Sequence, residues 1–71
     1  MIEKIKELTV TIVGLGVIGA AFAESFSEIG IKTIYGIDID EETLKKAEEK
    51  NIINKGFIET KEPLEKSDFV V

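Results

Sequence analysis

Three glycines and one carboxylate are the residues whose types and spacing suggest chemistry. Gly14-Leu15-Gly16-Val17-Ile18-Gly19 has the GxGxxG spacing, and Asp38 follows 19 positions after the third glycine. Where such a run leaves a strand and opens a helix, the first glycine makes the tight turn. The second lets the backbone approach a pyrophosphate, and the third lets the helix lie close on the strand. A helix starting near Val17 turns its unpaired amides and positive dipole end toward the phosphates, so no basic residue is needed. The candidate binding set is Gly14, Leu15, Gly16, Val17, Ile18 and Gly19 around the pyrophosphate of a dinucleotide, with Asp38 accepting hydrogen bonds from the adenosine ribose. A carboxylate there repels a 2′-phosphate and the chain has no Arg to receive one, so NAD is expected over NADP. Asp40 reads as a helix cap and not as a second ribose ligand.

Composition excludes most other chemistry. The 71 residues contain no His, Cys, Arg or Trp. Cys/His zinc sites, disulfides and nucleophile–imidazole pairs are therefore out, and neither a catalytic residue nor a metal site is expected. Nine Lys against fourteen acids give a net charge of −5, so nucleic acid is not an expected partner. No apolar run approaches the roughly 18 residues of a membrane span, and the first eight residues do not form a signal peptide. A cytoplasmic chain without membrane contact is expected. With 44% hydrophobic and 32% charged residues, the chain has the composition of a folded domain.

The elements that must position the motif read as alternating strands and helices. Residues 8–13 are β-branched and apolar on both faces, as in a buried parallel strand. Residues 17–29 carry a broad apolar face with Glu24, Ser25, Ser27 and Glu28 on one flank, followed by Gly30 as a stop. Residues 32–38 form a second strand. Asp40 caps a helix over 41–50, with Ile39 placed to staple against Leu44 and two Glu in the first turn. Residues 57–59 read as a short third strand, 63–66 as one or two helical turns, and 68–71 as the opening of a fourth strand. Tyr35, Phe22 and Phe26 are expected in the core. The fold class is α/β: a Rossmann-type doubly wound parallel sheet cut to its first half, strand order 3-2-1-4, in one partial domain over residues 1–71.

The stretch from Thr9 to Ala23, then Gly36-Ile-Asp-Ile-Asp-Glu-Glu-Thr-Leu-Lys-Lys-Ala, then Ser67-Asp-Phe-Val-Val, resembles the amino-terminal part of prephenate dehydrogenases and the related arogenate enzymes. Ala20 and Ala21 stand where that family commonly has Gly and Ser. The resemblance implies oxidative decarboxylation of prephenate to 4-hydroxyphenylpyruvate in tyrosine biosynthesis, with hydride passed to NAD. It also implies a helical carboxy-terminal domain that dimerises and completes the substrate site, which has no counterpart here. The His and Arg that the family uses on its substrate are absent, so only Gly14, Gly16, Gly19 and Asp38 carry over.

Two other readings stay open at this point: an NAD-sensing regulatory Rossmann module, or a piece of another β-hydroxyacid-type dehydrogenase. An inert remnant whose incomplete sheet pairs with another chain is a third. In each, the strand over 68–71 leaves an apolar open edge, so self-association is expected. A small-molecule substrate is expected only in a full-length form, and the chain alone is not expected to transfer hydride.

Overall fold

The computed structural model describes residues 7–71, without the side chains of Val17 and Ile18. Seven elements follow in order: β1 (Thr9–Val13), α1 (Val17–Glu28), β2 (Thr33–Ile37), α2 (Glu41–Glu49), β3 (Lys55–Phe57), α3 (Lys61–Lys66) and β4 (Phe69–Val70). The four strands form one sheet in the order β3-β2-β1-β4, all pairs parallel. This is the first half of a doubly wound Rossmann-type sheet, as expected from the sequence.

β1 sits between two neighbours, and Val10, Thr11 and Ile12 are all buried. Its alternate residues meet different layers. Val10 and Ile12 join the main core with Ala23 of α1 and Leu44 and Ala47 of α2. Thr11 instead bonds through its hydroxyl to the Pro63 carbonyl and to the Ser67 hydroxyl. α1 and α2 thus cover one face and α3 the other, which places the loop after β1 at the carboxyl end of the central strand, where open α/β sheets bind ligands.

Local chemistry sets the ends of the helices. After α1, Gly30 has φ +103°, donating to the Ser27 carbonyl at 3.1 Å while Ile31 donates to Phe26 at 3.1 Å. These paired bonds close the helix in a Schellman turn. α2 ends the same way on Asn51 (φ 59°), whose N–H reaches Glu48 while that of Ile52 reaches Ala47. Asp40 caps α2, its carboxylate accepting the Glu42 N–H at 3.0 Å and the Thr43 hydroxyl at 3.1 Å.

The structure shifts three sequence expectations. The third strand is Lys55–Phe57, earlier than 57–59. Gly56 is inside it, where α2 lies so close that a Cβ on Gly56 would stand 2.8 Å from Leu44 Cβ. Asn54 starts the pairing, its side-chain oxygen accepting the Ile34 N–H and its own N–H reaching Ile34 O at 2.7 Å. α3 begins at Lys61, before 63, and takes Pro63 into its first turn, where a missing N–H costs no helical bond. Ile39 does not staple against Leu44. It is 91% exposed, because the Asp38 carboxylate accepts the Asp40 N–H at 2.9 Å and turns the intervening residue outward.

Of the aromatics, Phe26 is partly buried against the core. Phe22 stacks on it at 6.2 Å between ring centroids but remains 45% exposed, contrary to a core role. Tyr35 is half-buried, edge-on to Phe57 at 5.3 Å.

Candidate dinucleotide site

The turn from β1 into α1 is held on both sides. Gly14 leaves the strand with φ +85°, a backbone conformation that L side chains rarely adopt, and its N–H donates to Ile37 O at 2.7 Å. The Leu15 side chain is buried in the core, and its N–H donates to Asp38 Oδ2 at 2.9 Å. Ala20 N–H then makes the first helical bond to Gly16 O at 3.0 Å.

The three glycines stand in different surroundings. At Gly19, a Cβ would run into the Gly14 carbonyl oxygen, so the close crossing of α1 over the turn demands a bare backbone. At Gly14 the demand is conformational. Gly16 meets neither demand: its φ is −79°, open to any residue, and nothing lies within 4 Å of where its Cβ would be. The protein's own packing does not call for glycine there. Gly16 is the N-cap of α1, whose first amides have no acceptor within the helix and whose first turn carries no acidic residue.

Gly14, Gly16 and Gly19 line a cleft of about 480 Å³ whose walls are Val13, Phe22 and Val71. These three apolar residues were not among the sequence candidates. The signal for Phe22 was its position one helical turn beyond Gly19; for Val71 there was none, since it enters the cleft only by pairing with β1 through Val13 N–H to Val71 O at 2.9 Å. A larger groove of about 580 Å³ lies over α2 and β3, but Glu41, Glu42, Glu48 and Glu59 are among its lining residues. Four carboxylates against one ammonium, that of Lys45, oppose an anion there.

Asp38 stands at the end of β2 facing the turn. Its carboxyl is held below the usual carboxylate range by the backbone N–H groups of Asp40 and Leu15, against some opposition from desolvation. It is ionised at neutral pH, with lone pairs left over beyond the two backbone bonds. The structure thus brings Gly14, Leu15, Gly16, Gly19 and Asp38 together, Leu15 through its backbone alone. The side-chain contributions expected of Val17 and Ile18 lie outside the described residues. Among the described residues no cluster of His, Cys, Asp or Glu forms a metal site. No helix among them is long and apolar enough to cross a membrane.

Comparisons with known proteins agree with this geometry. The prephenate dehydrogenase from A. aeolicus, solved in complex with hydroxyphenyl propionate and NAD+, is 38% identical and superposes with a TM-score of 0.80 over 89% of this chain. The match covers 23% of that enzyme's own chain. Comparison with curated protein sequences gave no match. The profile of the D-isomer specific 2-hydroxyacid dehydrogenase NAD binding domain matches residues 1–71. With a Rossmann-type half sheet and a glycine turn facing an acidic strand end, the chain belongs to this family of dehydrogenase NAD-binding domains.

Proposed function

We propose that this chain binds the ADP-ribose part of NAD and serves as the cofactor-holding part of a prephenate dehydrogenase-like oxidoreductase. The observation that carries the reading is Gly16: its glycine is explained by neither conformation nor packing within the protein, only by a group that approaches from outside. In this reading the amides of residues 16–19 bind the pyrophosphate and Asp38 accepts the ribose hydroxyls. Bound NAD would supply the hydride acceptor. The chain's own residues position that acceptor and exclude a 2′-phosphate, while Val13, Phe22 and Val71 present an apolar wall beside it.

The likeness to prephenate dehydrogenase supports oxidative decarboxylation of prephenate, in tyrosine biosynthesis, as the reaction served. Groups that orient such a substrate and move its protons are expected from outside these 71 residues, which contain neither His nor Arg. The same reading makes residues 1–71 one part of a dinucleotide-binding domain. Phe69, Val70 and Val71 are exposed along β4, which supports pairing of this edge with a further strand or a second copy; sedimentation at increasing concentration checks for the latter. At the other edge, Glu48 already takes the Gly56 N–H at 2.6 Å.

An NMR titration with NAD tests the function. Shifts at the amides of Gly16, Val17 and Gly19 are expected; shifts confined to residues remote from the turn would contradict it.

A further inference from the structure

Asp38 carries a task beyond ribose recognition. The glycine turn has more conformational freedom than any other part of the binding surface, since two of its residues lack a Cβ between β1 and the start of α1. Three contacts hold it: Gly14 N–H on Ile37 O, the Leu15 side chain in the core, and Leu15 N–H on Asp38 Oδ2. The first anchors its beginning, and the second seats Leu15 itself. The third is made at the residue directly before Gly16 and comes from a side chain 23 positions away. The other oxygen of the same carboxylate holds Asp40 N–H, so one group clasps the ends of both central strands.

We propose that Asp38 is the positioning residue of the phosphate turn: its carboxylate fixes the Leu15 amide and thereby holds Gly16 and the start of α1 in the shape that admits a pyrophosphate. The inference deepens the dinucleotide reading and rests on it. Recognition of ribose and of pyrophosphate are then coupled through one side chain, because whatever disturbs the carboxylate also loosens the turn. Each oxygen keeps a second lone-pair direction, so the backbone bonds and the ribose bonds do not exclude one another.

The sign of one effect separates this role from a plain ribose contact. A carboxylate that met only ribose would oppose pyrophosphate by like charge, and its removal would leave pyrophosphate binding equal or stronger. A carboxylate that holds the turn makes removal weaken it.

The test uses the 71-residue chain as wild type, Asp38→Ala and Asp38→Asn, each checked for folding by circular dichroism. The ligand is inorganic pyrophosphate, which has no ribose. In Asp38→Ala, exchange of the Leu15 amide is expected to rise about tenfold, the equivalent of one lost charge-assisted bond. The Asp68 amide, bonded to Thr9 O at the far end of the sheet, should not change. Pyrophosphate affinity is expected to fall in the order Asp, Asn, Ala, since Asn has one acceptor oxygen for two donors. If Asp38→Ala fails to fold, Asp38→Asn decides by the same two readouts. Unchanged Leu15 exchange, or pyrophosphate bound as tightly or more tightly by the variants, would overturn the proposal. A folded wild type that binds no ADP-ribose would overturn the dinucleotide reading instead, with Leu15 exchange still deciding whether the clasp exists.

Discussion

Leu15 occupies the notch that Gly36 leaves on β2: a Cβ at Gly36 would lie 3.0 Å from Leu15 Cγ and closer still to its Cδ1, with Ile53 Cδ1 also at 3.0 Å. The loop between β1 and α1 is thereby fastened to the core from beneath. A glycine in mid-strand, unfavourable for the strand itself, is there to receive a side chain from the turn.

That relationship predicts stability effects from both partners. Gly36→Ala should destabilise by about 1–3 kcal/mol through overpacking. Leu15→Ala should cost about 2–5 kcal/mol through the cavity it leaves. Urea unfolding checks both, and an Ala at position 36 without cost would mean that Leu15 sits elsewhere.

The three glycines of the turn should separate in the same measurement. Gly14→Ala forces a side chain into φ +85°, costing about 1–2 kcal/mol. Gly19→Ala pushes a methyl group against the Gly14 carbonyl and should cost at least as much. Gly16→Asp meets open space at an N-cap with extended backbone, where Asp is a favoured cap, so stability should hold or rise. Equal losses at all three positions would contradict the assignment of Gly16 to a ligand.

Cofactor choice follows from the ionised Asp38. NAD should bind the wild-type chain at least about tenfold more tightly than NADP, a difference of about 1.4 kcal/mol. Asp38→Asn should narrow the gap. Competition titration reads the ratio, and equal affinities in the wild type would show that the carboxylate does not face the 2′ position.

Acid should loosen the fold through the same group. The carboxyl of Asp38 has a folded-state pKa below its ordinary value, so the stability it contributes is fully present above the unfolded value of about 3.9 and is lost as pH falls below that through the folded pKa. Melting temperatures should therefore change little on Asp38's account between pH 7 and about 5 and decline below about 4, with a shallower decline in Asp38→Asn. An identical acid profile in the variant would deny Asp38 that share.

Much of this architecture was legible in the sequence because it rests on local signals. The β-branched run 9–13, the apolar face of α1 closed by Gly30, and Asp40 ahead of two Glu each announce an element without reference to distant residues. The misreadings came from side-chain contacts that spacing does not announce. The third strand reads as starting at 57 until Leu44 is seen packed on Gly56. Ile39 looks like a staple until the Asp38 carboxylate turns the chain. Phe22 looks like core until its place on the cleft wall is seen. Within the candidate site, spacing singled out Gly14, Gly16, Gly19 and Asp38 but not the way they are tied together: the Leu15 N–H finds Asp38, 23 positions later, and its side chain is seated at Gly36, 21 positions later.

Whether the cleft at Gly16 receives the phosphates of a dinucleotide, as proposed, is read out by isothermal calorimetry of ADP-ribose with the wild-type chain and with Gly16→Asp. Saturable binding to the wild type is expected, with loss of measurable binding in a Gly16→Asp chain that remains folded, because a carboxylate would then occupy the proposed phosphate position. A folded wild type that binds no ADP-ribose at millimolar concentration, or a Gly16→Asp chain that binds it as well as the wild type, would contradict the account.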